Sequence, residues 1–145
     1  MSFWVYKCNT DQHEHQKYWG DWDDVFAEGG VMGWGDSEGC DQLSALKSGD
    51  IVIAHQSNRE ELVGLCEVIG YEEKDAKHHL MLKAIEEIRV SMPELKEFDE
   101  RIESLKAYAQ GYVRTIYSIT TAEALHLIDV ARQLAALKKT INSDT

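Results

Sequence analysis

"LKSGDIVIAHQSNREELVGLCEV", residues 46–68, holds two apolar strand patterns separated by a polar turn. Asp50 to Gln56 (DIVIAHQ) is rich in β-branched residues, and Glu61 to Gly70 (ELVGLCEVIG) follows at hairpin distance, so antiparallel pairing is expected. Ahead of them, Asp41 to Lys47 (DQLSALK) suits a short helix closed by Gly49 as its C-cap. Short strands joined by hairpins build a mostly antiparallel sheet with a tendency to curl into a barrel.

The flanks extend this pattern. Phe3 to Cys8 (FWVYKC) is aromatic and β-branched and reads as an opening strand, with Trp4 in the core. His79 to Val90 reads as one or two further strands and Val113 to Ile119 as a last one. Ser91-Met-Pro-Glu94 has the form of a capping box, and Leu95, Phe98, Ile102, Leu105 and Tyr108 recur at helical spacing up to Gly111. Thr120-Thr-Ala-Glu123 is a second capping box, opening a helix whose apolar face carries Ala124, Leu127, Ile128, Ala131 and Leu134. The expectation is a single α+β domain over 1–145 with a helical insertion at about 93–110.

Composition narrows the function. The 145 residues are 43% hydrophobic and 28% charged, an ordinary globular balance with enough chain for a proper core. No apolar run approaches the ~20 residues of a membrane span. The first residues lack a basic stretch followed by an apolar one, so a cytoplasmic protein away from membranes is expected. A net charge of −11 argues against sequence-blind nucleic-acid binding, which depends on phosphate neutralisation. Any such binding must rest on a shaped pocket and a local basic patch. Cys8, Cys40 and Cys66 form no CxxC pair, and Cys8 and Cys66 fall in apolar strand patterns as core residues. His13-x-His15 and His78-His79 lack a third ligand at sensible spacing, so no metal or other cofactor is expected. There is no GxSxG, P-loop or HExxH motif, and a non-enzymatic role follows.

The order of these pieces resembles the EVE domains of the PUA-like superfamily, relatives of YTH domains. The resemblance rests on Phe3-Trp4-Val5-Tyr6-Lys7, on Gly30-Val31 before Trp34, on Leu46 to Ser57 with Val63 to Val68, and on Ile116 to Glu123. It implies a PUA-like pseudo-barrel of mostly antiparallel strands with flanking helices, and a pocket for a modified nucleobase. In YTH relatives that base is a methylated adenine in RNA. In EVE domains it is methylated or hydroxymethylated cytosine in DNA, often within restriction systems beside a nuclease or other effector. A helix at 93–110 and so acidic a chain depart from a minimal EVE domain.

A flipped base is read by stacking on aromatic faces and by hydrogen bonds to its polar edge. Trp34, between Gly33 and Gly35, is the favoured platform, because glycine lets a ring approach closely. Trp19 and Trp22, three residues apart, share a helix face and serve either as pocket walls or as core. Asp36 either accepts from an exocyclic amine or caps the short helix nearby. Lys7 and Asn9 follow the first strand; His55, Gln56, Ser57 and Asn58 follow the second. Ser57 and Asn58 sit where the resemblance places base or backbone contacts, and they equally suit a turn. Lys7 either meets a phosphate or is a solvated strand end. The leading expectation is a reader of modified cytosine in DNA. The alternatives are a reader of methylated RNA, an interaction module that forms a homodimer through the 93–110 helix, and, behind these, a small-molecule pocket for a nucleotide or base derivative.

Overall fold

Gly49 and Asp50 fix the start of the central hairpin. Gly49 adopts φ +92°, a conformation that side chains disfavour, and its N–H donates to the Val68 carbonyl at 2.8 Å. Asp50 is buried, and its carboxylate accepts from Ser2 N at 2.9 Å, Trp4 Nε1 at 3.0 Å and Lys47 N at 3.0 Å. Burial alone would raise this carboxyl; the Lys47, Ser2 and Trp4 donors outweigh that and hold it below the usual carboxylate value. One side chain thus joins the N-terminal strand, the preceding turn and the hairpin.

The computed structural model describes residues 1–8, 22–28, 31–34, 45–74, 77–109 and 116–143. Six strands form one sheet: β1 (Phe3–Cys8), β2 (Val31–Trp34), β3 (Ile51–Gln56), β4 (Glu61–Lys74), β5 (Lys77–Ser91) and β6 (Ile116–Ile119). Their order is β2-β5-β4-β3-β1-β6. β1 runs parallel to β3, and the other neighbours pair antiparallel. Three register shifts interrupt β4–β5, and bulges of this kind bend and twist a strand pair into the curl expected of a pseudo-barrel. The fold is the α+β arrangement expected, with helices flanking the sheet. The 79–90 pattern proves to be part of one 15-residue strand, β5. Most of the short helix expected over 41–47 lies outside the described residues.

Alternation along the strands divides the core in two. Trp4, Tyr6, Cys8, Val52, Ala54 and Cys66 face one side, where α1 (Trp22–Glu28) packs. Phe3, Val5, Ile53 and Leu65 face the other, under α2 (Met92–Phe98), α3 (Lys106–Ala109) and α4 (Thr121–Ser143). Cys8 and Cys66 are buried and form no disulfide with each other, and burial pushes Cys66 up to about 12, leaving it unreactive at neutral pH. Trp4 is a core residue, as its strand position implies. Gly64 has a steric reason to be glycine. A Cβ there would overlap the Glu86 carbonyl oxygen and sit 2.7 Å from Cζ of Phe26 on α1.

The stretch over 93–110 is not one helix. α2 ends at Phe98; Asp99 is extended (φ −145°, ψ 103°), and its carboxylate accepts from Arg101 N at 3.0 Å to start a 3-10 turn over Glu100–Ser104. Extended Leu105 then separates that turn from α3. Only part of the apolar stripe turns inward: Leu95 and Ile102 are fully buried against α4 and the sheet, Leu105 and Tyr108 are half-buried, and Phe98 is 41% exposed. Part of the face expected to support a homodimer is thus spent within the chain, while Phe98 stays exposed.

Both capping sequences act at helix starts. Ser91 and Glu94 form the reciprocal box at 3.1 and 3.0 Å. Thr120 Oγ1 accepts from Glu123 N at 3.1 Å, but the Glu123 carboxylate accepts instead from Lys106 N and Ala107 N, both at 3.0 Å. It caps α3 rather than its own helix. Among the described residues, no helix is long and apolar enough to cross a membrane.

Candidate nucleic-acid interface

The parallel pairing of β1 and β3 brings their C-terminal ends together, with Lys7 beside His55 and Cys8 beside Gln56. The chain then turns through Ser57–Arg59, where Ser57 Oγ donates to the Cys8 carbonyl at 3.1 Å. Gln56 is fully buried on the α1 side. Its Oε1 accepts from Trp22 N at 2.8 Å, and its Nε2 donates to Asn58 Oδ1 at 2.7 Å. Lys7, His55, Ser57 and Asn58 thus lie at one end of the sheet, where Gln56 ties Asn58 to α1.

Adjacent residues of β3 serve opposite faces. His55, 9% exposed, turns away from α1 and, with Ser57, lines a cavity of about 240 Å³ walled by Met92, Pro93, Ala107 and Tyr108. Burial, with help from the Lys7 charge, pushes the His55 imidazole from 6.5 down to about 4, so it is neutral at pH 7. Burial also lowers the Lys7 ammonium from its ordinary value.

Trp22 is not a platform. It is 0% exposed, meets Tyr6 edge-on with ring centroids 5.5 Å apart, and donates from Nε1 to the Tyr6 carbonyl at 3.2 Å. With its indole N–H satisfied inside, the ring belongs to the core, which is the other of the two roles open to it. Trp34 closes β2 opposite Leu80 of β5, with β5, β4 and β3 between it and β1 in the hydrogen-bonding order. α1 packs against both β2 and β3, linking the Trp34 edge to the strand that carries His55 and Gln56. Asn9, Trp19, Gly35 and Asp36 lie outside the described residues.

The sequence offers Gln56 only as one polar partner at the strand end and Tyr108 only as part of a helical stripe, and it marks neither Met92 nor Ala107. A signal existed for Gln56. It shares the alternation of Val52 and Ala54, and a polar side chain on that buried face needs partners. Nothing local marks the cavity walls, which lie some 35 to 50 residues further along the chain.

No family model matches the chain, and no curated protein matches it either. Solved structures do. One is the NMR structure of a Rhodopseudomonas palustris protein, with TM-score 0.68 and 17% identity over 92% of this chain and 95% of that one. Another is a hypothetical protein from Leishmania major, with TM-score 0.64 and 16% identity over 92% and 96%. A third is the YTH domain of the Zygosaccharomyces rouxii MRB1 protein in complex with N6-methyladenosine RNA, with TM-score 0.57 and 16% identity over 90% and 86%. The chain has a YTH-like fold. At such identities the likeness speaks for architecture, and it embraces YTH domains without singling out the EVE family.

Proposed function

We propose that this chain is a non-enzymatic reader of a modified base in nucleic acid, held where β1 and β3 end. The observation that carries the reading is the shared fold, over 90% of the chain, with a domain bound to N6-methyladenosine RNA. That neighbour favours methylated adenine in RNA over the modified cytosine in DNA that the EVE resemblance puts first. Trp34 is the proposed stacking wall, with Trp19, Gly35 and Asp36 from the flanking segments. Lys7, Asn9, Ser57 and Asn58 supply polar contacts. The half-buried Lys7 amine supports a phosphate role, since a chain of net charge −11 has few positions from which to attract RNA.

The test is tryptophan fluorescence quenching across short RNAs and DNAs carrying N6-methyladenosine, 5-methylcytosine, 5-hydroxymethylcytosine or plain bases. The methyladenosine RNA should bind most tightly. Trp34→Ala should weaken it about 5- to 150-fold, the worth of one stacked base at ~1–3 kcal/mol, with thermal unfolding unchanged. Equal affinity for plain and modified strands refutes the reader function, and tightest binding to a cytosine-modified DNA overturns the choice of base.

A further inference from the structure

We propose that the cavity between the end of β3 and helices α2 and α3 is a second binding site, for a small neutral heteroaromatic ring. It lies on the opposite face of the sheet from α1 and Trp22. Ser57 lines it and Lys7 pairs with His55 in register, and both also serve the proposed base contacts; the inference rests on the orphaned His55 nitrogen rather than on base reading. At about 240 Å³ it is smaller than the ~300–1,000 Å³ of pockets for drug-sized molecules and suits one ring system.

The observation that points to a ligand is Nε2 of His55. This atom is buried and, among the described residues, has no hydrogen-bond partner, whereas buried polar groups are nearly always paired. Around it the walls are mostly apolar: Met92 and Ala107 are buried, Tyr108 is half-buried with a flat aromatic face, and Pro93 adds a rigid ring. Ser57 contributes a hydroxyl at the same end. This is the composition of a small-molecule pocket, apolar walls with a few placed polar groups.

Charge selects a neutral guest. Lys7 lies beside His55 in the strand register and disfavours a cation, while the exposed carboxylate of Glu60 borders the cavity and disfavours an anion. A neutral imidazole offers one donor and one acceptor nitrogen, so a heteroaromatic edge can match whichever role Nε2 takes. The walls are held in place before any ligand arrives. The Ser91–Glu94 box fixes the start of α2, and Glu123 of α4 caps α3 through Lys106 N and Ala107 N.

Adenine is a suitable probe, with benzoate and benzylammonium as charged comparators of similar size, followed by histidine-ring and backbone NMR on the full chain. Adenine should move the His55 ring nitrogens and the Ala107 and Tyr108 amides, and bind more tightly than either charged ring. His55→Phe should weaken it roughly tenfold or more, because the polar edge loses its partner. Tyr108→Ala, at a half-buried position that leaves the core intact, should weaken it comparably, and Trp34→Ala should leave it unchanged. Unmoved His55 signals at millimolar adenine would mean that the cavity holds solvent only, and would overturn the proposal. Equal binding of a charged comparator, or full affinity in Tyr108→Ala, would overturn it as well.

Discussion

Lowering the pH should destabilise the chain through His55 in a window that the carboxylates leave open. The folded imidazole titrates at about 4 and an exposed one at 6.5, so between these values the unfolded chain binds a proton that the folded chain refuses. Stability supplied by the neutral imidazole is therefore complete above about pH 6.5, falls with pH through the window, and is gone below about 4. The gap is worth about 3 kcal/mol at 1.36 kcal/mol per pKa unit, a large share of the 5–15 kcal/mol typical of a domain. Asp50, held below the usual carboxylate value, and Asp99, held at about 2 by Arg101, lose their charge only at lower pH. Urea unfolding of wild type and His55→Gln at several pH values from 7 to 4.5 isolates the effect, since glutamine does not titrate there. The wild type should lose most of the 3 kcal/mol and the variant far less. Parallel curves for the two would refute the account of a desolvated, uncharged His55.

Three further outcomes follow from the geometry. Gly64→Ala should destabilise by about 1–3 kcal/mol or more, as overpacked cores do, measured by denaturant midpoint. Adding Phe26→Leu should restore only part of that, because the Glu86 carbonyl is backbone and cannot withdraw. Asp50→Ala strands the buried Trp4 indole N–H, at about 1–3 kcal/mol, and leaves two partly buried backbone donors to water, so it should lower the denaturant midpoint clearly while circular dichroism still shows a folded chain. If methylated RNA binds, a plot of log affinity against log salt should be shallow, about −0.7 per phosphate contact and no more than two or three contacts; a slope near −5 would show a basic surface that the composition denies.

The block at 46–68 carried much of the fold in its residues. A glycine able to take positive φ, an aspartate after it and two apolar runs specify a hairpin through local chemistry alone. Both capping sequences were legible for the same reason, although Glu123 reaches across to α3, which no local pattern foretells. The parallel pairing of β1 with β3 was not legible, because it joins segments more than 40 residues apart. The 93–110 stretch misled because its apolar spacing continues across two breaks. A 3-10 turn has a period close to that of an α-helix, and Asp99 diverts the chain with a bond to Arg101 N that competes with helical pairing. For the site, strand alternation separates His55 from Gln56 and predicts opposite destinations for them. Trp22 and Trp34 look alike in sequence; only the partners of the Trp22 indole reveal it as core.

The carboxylate of Glu123 makes the last helix a custodian of a wall it does not itself form. Trading that glutamate for alanine would release the backbone N–H groups of Lys106 and Ala107 and let the short segment bearing Tyr108 drift, while the core face of α4 stayed packed on the sheet. Engineers wishing to widen the chamber beside His55 therefore have a remote handle on it, one that leaves every chamber-facing side chain in its native form.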